Sequence, residues 1–377
     1  MKKILIITRN LPPLIGGMER LNWHIAEELS KDHDVSIISH IKAKKIAPHE
    51  TNFYGVPLNP LLVFLIFSFF QTFWLCIVQR PDILFAGSGL TGPIVVFWAK
   101  IFNKKSIIYI HGLDIENKSV IYRKIWIPFI RKADHIVANS TPTQELCVRN
   151  HIPLTKISII HPGVDFPPRP REVEHIQYLK DKFKLKNKKV LISVGRLTER
   201  KGLNEFIQQA LPQIVKDFPN ILLLIVGDTA NHALNKNMQT STQLLETAKA
   251  YHVDQHIAFS GKVTDPELSS LFYLSDIHIF PVKHIPEDPE GFGMVAIEAA
   301  AHGTPTIAFA TGGIIDAVQH EKTGYLIQNQ DYQNMTNTII QVLENKNLIS
   351  DQECMQYAEK FAWYNLKSKF EKVIVIL

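Results

Sequence analysis

Short apolar runs alternate with helix-length segments from Lys3 to Ile327. This constrains the chain more than any single motif, because it is the pattern of parallel β-sheets whose strands are joined by helical crossovers. A first series predicts strands at Lys3–Thr8, Val35–Ser39, Asp82–Ala86, Ser106–His111, His135–Ala138 and Ile157–Ile160. A second runs through Val190–Val194, Leu222–Val226, Ile257–Phe259, Ile277–Phe280, Thr306–Ala308 and Gly324–Ile327. Between them the proline cluster Phe166-Pro167-Pro168-Arg169-Pro170-Arg171 reads as an interdomain linker. The expectation is an α/β protein of two doubly wound domains, 1–165 and 166–363, facing a central cleft. Ligands are expected at the carboxyl ends of the strands.

A chain of 377 residues can bury two cores, and 46% hydrophobic with 20% charged residues describes a globular protein. Three scattered cysteines, Cys76, Cys147 and Cys354, make neither a disulfide framework nor a zinc site, and the default is a reducing, cytoplasmic setting. The opening Met1-Lys2-Lys3 and its apolar run Ile4–Ile7 are too short for a signal peptide and read as a buried first strand. Residues 1–168 hold 19 Lys+Arg against 12 Asp+Glu, and residues 169–377 hold 22 against 24. The basic half fits either an anionic partner or scattered solubilising charge.

The richest chemical signal is Pro289-Glu290-Gly291-Phe292-Gly293-Met294, with Glu298 eight positions after Glu290. Were all eight steps helical, the two carboxylates would stand roughly 12 Å apart along the axis, too far to share a proton. That spacing suits two anchors on one extended ligand. Between them, the amides of Gly291, Phe292, Gly293 and Met294 enter a helix N-terminus able to face a phosphate. After the first strand of the second series, Gly195-Arg196 and Lys201-Gly202 put two cations in a strand-to-helix loop. They can clamp a diphosphate and stabilise charge on a departing nucleoside diphosphate. Gly16-Gly17 after the first strand admits close approach of a phosphate or simply a tight turn. His111, at the end of its strand in His111-Gly112-Leu113-Asp114, is either a ligand at the strand mouth or a satisfied structural histidine. Gly87-Ser88-Gly89-Leu90-Thr91-Gly92 spells a dinucleotide fingerprint but follows about the third strand rather than the first, which argues against NAD or FAD.

In combination and order, Gly16-Gly17, His111-Gly112-Leu113-Asp114, Arg196 with Lys201, and Glu290 with Glu298 resemble the retaining, nucleotide-sugar-dependent glycosyltransferases of family 4 (glycosyl transferases group 1), of GT-B fold. The resemblance spans nearly the whole chain. It implies Gly16 and Gly17 beside the donor phosphates and Arg196 and Lys201 binding the diphosphate. Glu290 would hold the sugar hydroxyls, Glu298 the ribose, and His111 would lie near the anomeric carbon, with Asp114 shaping that pocket. Lys262 and Val263 fall where the family holds the base, and the last helix, about 364–377, would return to the first domain. The chain departs from the pattern at Asp228-Thr229-Ala230-Asn231-His232, where glycine is usual, and at His161-Pro162-Gly163.

The implied reaction is metal-independent transfer of a hexosyl group with retention, from a nucleoside-diphosphate sugar (UDP favoured over GDP) to a glycan or lipid-linked glycan of the bacterial cell envelope. No cofactor and no nucleic-acid partner are expected. An inactive sugar-nucleotide binding subunit and an NAD-dependent oxidoreductase are the competing readings. One segment stands apart. Thr51–Gln79 contains no Asp, Glu, Lys or Arg, and Leu58–Val78 is almost wholly apolar. It is long enough to span a bilayer, yet Arg80-Pro81-Asp82 leads straight into a strand of the same sheet, so a buried core helix and an interfacial helix on an anionic membrane's inner face stay open.

Overall fold

The computed structural model describes residues 1–116, 119–228, 239–285, 288–345 and 348–377. These divide into two compact units. Unit 1 is Met1–Gly163 with Ala362–Leu377, and unit 2 is Val164–Phe361. Unit 1 carries 22 Lys and Arg against 12 Asp and Glu, and unit 2 carries 19 against 24.

Unit 1 is built on seven strands: β1 (Lys3–Ile7), β2 (Asp34–His40), β3 (Thr51–Val56), β4 (Ile83–Ala86), β5 (Lys105–Ile110), β6 (His135–Ala138) and β7 (Ile157–Ile159). All pair in parallel, in the order β3-β2-β1-β4-β5-β6-β7. β4 is buried on both faces, as a central parallel strand must be when helices cover both sides. Leu84 and Ala86 join one core with Phe64 and Val95. Phe85 points the other way, its ring 5.7 Å from that of Phe370 on the final helix, Asn365–Ile376. That helix is tied further by His33 to Glu371 at 2.7 Å and by the Lys367–Asp32 ion pair. Burying Phe370 contributes about 1.5–3 kcal/mol.

Unit 2 has six parallel strands: β8 (Lys189–Val194), β9 (Ile221–Val226), β10 (Ile257–Gly261), β11 (Ile277–Phe280), β12 (Thr306–Phe309) and β13 (Gly324–Ile327). Their order is β10-β9-β8-β11-β12-β13. Leu191, Leu223 and Ile279 feed one core, and Ile192, Leu222 and Leu224 feed another on the opposite face.

All six strands expected in the second half are present. In the first half β3 is an addition: Thr51–Val56 is an edge strand, mostly half-exposed and interrupted by Gly55, so its sequence lacks the apolar run that marks its neighbours. Strand order reverses between β1 and β4 in unit 1 and between β8 and β11 in unit 2. Such reversals splay the loops at the carboxyl ends apart and open a crevice there.

Candidate active site

The reversal point of unit 2 draws its charges together. The loop after β8 contains the short turn Glu199–Lys201, and the loop after β11 contains Asp288 and Glu290. Lys201 Nζ donates to Glu290 Oε2 at 3.0 Å, and Arg200 Nη1 donates to the same oxygen at 2.6 Å. Arg200 Nε also lies 3.2 Å from Asp288 Oδ2. Lys201 Nζ stands 4.5 Å from the centroid of the Phe280 ring, a cation–π contact. The backbone joins the two loops as well, through Lys283 N–H to the Arg200 carbonyl at 2.9 Å.

These ions are nearly dry. Burial alone would push the Glu290 carboxyl up, but the charges of Lys201 and Arg200 outweigh it and bring it down to about 2. Burial lowers the Lys201 pKa, against the opposing pull of Glu290. Arg196 is different. It is exposed and makes no ion pair among the described residues, yet it is near enough for its charge to act on Lys201 and Glu290.

Two glycines make this geometry possible. Gly202 has φ +66°, and a Cβ there would lie 2.1 Å from the Pro281 carbonyl oxygen. Gly312 has φ +50°, and a Cβ would sit 2.3 Å from the carbonyl oxygen of Glu290. The turn after β12 thus presses backbone to backbone on the Glu290 loop, and Gly313 N–H bonds that carbonyl at 2.9 Å.

The helix beyond Glu290 is Met294–Ala301, entered from Gly293. Glu290, Gly291 and Phe292 precede it, so the eight steps to Glu298 are only partly helical. Phe292 is buried and packs on Phe361, which leaves backbone rather than its side chain for a ligand. Glu298 is half-buried on the helix, and its carbonyl accepts from His302 Nδ1 at 2.7 Å. After β10, Lys262 is exposed while Val263 packs partly on the core. Backbone bonds from Gly195 N–H to Val226 and from Gly227 N–H to Gly261 align the ends of β8, β9 and β10. Thr229 to His232 lie outside the described residues. A cavity of about 670 Å³ opens instead near the amino ends of β11 and β12, lined by Arg171, Tyr273 and Asp351, away from these charges.

In unit 1, Gly16 and Gly17 open the helix Gly17–Ser30 after β1. The first-turn carboxylate of Glu19 accepts from Asn10 Nδ2 at 2.8 Å, and its other oxygen occupies the space where a side chain on Gly16 would go. His111 follows β5. Its N–H donates to Asp114 Oδ2 at 3.0 Å, and the Asp114 N–H returns to the His111 carbonyl at 2.9 Å. Asp114 therefore fixes the turn that aims the histidine. The His111 Nε2 is buried with no hydrogen-bond partner among the described residues. Burial lowers its pKa, against the opposing pull of the Asp114 and Glu19 charges and of the Gly87 backbone. The glycines of the 87–92 stretch are packed: Gly89 faces Asp114 and Tyr122, and Gly87 faces Asn22 and Thr8.

The structure thus joins Lys201 to Glu290 and His111 to Asp114 and brings the Arg196 charge to bear on the first pair, while Glu298 sits on the helix beyond, its carbonyl bonded to His302. Sequence reasoning passed over Arg200, Asp288 and Glu19. Arg200 was visible as a third cation beside Lys201, but its carboxylate partner lies 90 positions away.

With this geometry in view, the comparisons with known proteins are informative. The family described as "Glycosyl transferases group 1" matches residues 176–361, and "Glycosyltransferase Family 4" matches residues 15–166. The D-inositol 3-phosphate glycosyltransferase of Mycobacteroides abscessus is 27% identical over 62% of this chain and 50% of its own length. A GDP-mannose-dependent alpha-(1-6)-phosphatidylinositol monomannoside mannosyltransferase of Mycobacterium tuberculosis is 29% identical over 51% of this chain and 48% of its own. The chain spans about half the length of these curated relatives. Among solved structures, Anabaena HepE in complex with UDP superposes over 100% of both chains with a TM-score of 0.81 at 18% identity. The chain belongs to the group 1, family 4 glycosyltransferases and has the GT-B fold.

Proposed function

We propose that the chain is a retaining glycosyltransferase that takes a sugar from a nucleoside-diphosphate sugar, UDP before GDP, and delivers it to an acceptor hydroxyl without a metal ion. The acceptor is a glycan or lipid-linked glycan of the cell envelope, met at the cytoplasmic face. The observation that carries this reading is the meeting of Arg200, Lys201 and Glu290 at the reversal point of unit 2, with Arg196 exposed beside them. Lys201 and Arg200, held in place by Glu290, together with the exposed Arg196 put cationic charge where the leaving diphosphate develops its negative charge.

An arriving diphosphate meets the free fork of Arg196 first and then competes with Glu290 for Lys201. Arg200 keeps its grip on Glu290 through that exchange and holds the carboxylate as an acceptor for sugar hydroxyls. The amides entering the helix at Met294 face a phosphate, Glu298 takes the ribose, and Lys262 and Val263 flank the base. The anomeric carbon–phosphate oxygen bond breaks, and the acceptor oxygen bonds that carbon from the same face. The acceptor proton passes to the leaving phosphate. In unit 1 we assign His111 Nε2 to the donor sugar and Gly16 and Gly17 to the phosphates.

The nucleotide partners named for known proteins bear on this unequally: HepE was solved with UDP and UDP-glucose, while the M. tuberculosis relative uses GDP-mannose. Calorimetric titration with UDP, GDP, ADP and NADH, followed by their sugars, decides the donor. Proton NMR of the product decides retention, and turnover in chelator decides the metal. Binding of NADH and none of the nucleoside diphosphates would overturn the reading.

A further inference from the structure

The helix Leu61–Val78 is inside out for a protein in water. Only 28% of it is buried, although its mean hydropathy is 2.4. Its buried positions include Ser68 and Thr72, with Thr72 Oγ1 bonded back to the Ser68 carbonyl at 2.7 Å. Its exposed positions include Leu62, Ile66, Phe67, Phe70, Trp74 and Val78, with Phe70 63% and Trp74 58% accessible. A water-facing helix turns its polar stripe outward; this one turns it inward.

The neighbouring helices extend the apolar surface. Trp98 Nε1 donates to the Phe69 carbonyl at 3.0 Å, and the Phe69 and Phe97 rings stand 5.3 Å apart, which locks the helix Gly92–Ile101 alongside. That helix exposes Phe97 and Ile101, and the turn of helix next to it, Tyr122–Trp126, exposes Ile125. The same helices expose Lys100, Arg123 and Lys124, and Lys105 follows closely. From residue 83 to 132 there are eight Lys and Arg against two acids, Asp114 and Glu116.

We infer that this face of unit 1 docks on an anionic lipid surface, with Phe67, Phe70 and Trp74 entering the headgroup–acyl boundary and the surrounding cations meeting lipid phosphates. The helix lies in the interface and does not cross it. It joins β3 to β4, which belong to one parallel sheet, and a bilayer cannot pass through that sheet. A second copy is the poorer occupant, because a twofold contact would set each basic rim against its own image. The inference stands on unit 1 alone, so it survives or fails independently of the chemistry assigned to unit 2.

The test is flotation of the full chain with phosphatidylcholine vesicles, with and without phosphatidylglycerol, at low and high salt. Binding is expected to anionic vesicles, to weaken with salt, and to shift Trp fluorescence to the blue. Phe70→Ser with Trp74→Ser should cut binding roughly tenfold or more, and Lys100→Glu with Lys105→Glu should do the same at low salt. These positions are exposed, so circular dichroism should show an unchanged fold. Absence of vesicle binding at low salt, equal binding to neutral vesicles, or a salt-stable dimer that Phe70→Ser dissociates would each overturn the inference.

Discussion

In unit 2 the loops after β8 and β11 bring Arg200 and Lys201 onto Glu290 and leave Thr198 Oγ1 unpartnered beside them, whereas in unit 1 the helix after β1 and the loops after β4 and β5 leave buried polar atoms of three residues, Asn22, Ser88 and His111, without a hydrogen-bond partner among the described residues. Both lie at the carboxyl ends of a doubly wound sheet, near the reversal of strand order. The difference is one of resting state. A buried polar atom left unpaired costs about 1–3 kcal/mol, so a ligand that pairs it gains that back. A self-paired ion cluster must instead exchange one partner for another. Unit 2 is therefore expected to be stabilised by its site and unit 1 to be stabilised by its ligand.

Glu290→Gln breaks this comparison most severely. Turnover is expected to fall at least a hundredfold, about 3 kcal/mol of transition-state stabilisation, and the melting temperature should fall as well because buried Lys201 loses its counter-charge and Arg200 keeps only Asp288. The same variant has a pH signature. The carboxyl sits at about 2 in the fold against an ordinary 4.5, so its contribution to stability is complete above pH 4.5 and is lost as the pH falls toward 2. Denaturant titrations across that window should show a slope in the wild type that Glu290→Gln flattens.

Arg196→Ala should match that loss of turnover without any change in melting temperature, since Arg196 is exposed and outside the ion pairs found. An equal fall in stability would show that it belongs to the resting cluster. Arg200→Met sits between the two, with a large loss of stability and a turnover loss that Arg200→Lys partly restores. In unit 1, His111→Ala should lower turnover roughly tenfold, the worth of one hydrogen bond, and lower the stability of the free protein less than Glu290→Gln does, since what it removes is the ring's packing on Tyr109 and the 3.5 Å approach of Nδ1 to Asn139, not a counter-charge. The smallest effect is Glu298→Ala, expected to raise KM for the donor several-fold while kcat holds; the reverse split would remove Glu298 from the ribose.

Much of this was legible in the chain, for reasons that particular residues illustrate. Runs such as Ile221–Val226, buried throughout, announce a central strand, and Gly202 announces a turn, so the six strands of unit 2 and its loops followed from sequence. Thr51–Val56 escaped because an edge strand needs no apolar run. Glu290 and Lys201 were each singled out, but their direct contact was not, since 89 positions separate them and only the adjacency of β8 and β11 closes that gap. Arg200 was missed for the same reason: a loop cation gains meaning only from the carboxylate it reaches. Asp114, expected to shape a sugar pocket, accepts from the backbone N–H of His111, a contact within its own turn that the sequence did not specify. The helix Leu61–Val78 left core and interface equally open, because composition records how apolar a helix is and not which side of it is covered.

Calorimetric titration of UDP into the wild type and Arg196→Ala, matched in melting temperature, tests the central claim most directly: that the reversal point of unit 2 holds the donor's diphosphate. The account predicts clear binding to the wild type and at least tenfold weaker binding to the variant, about 1.4 kcal/mol or more. Equal affinity in the two proteins would contradict it.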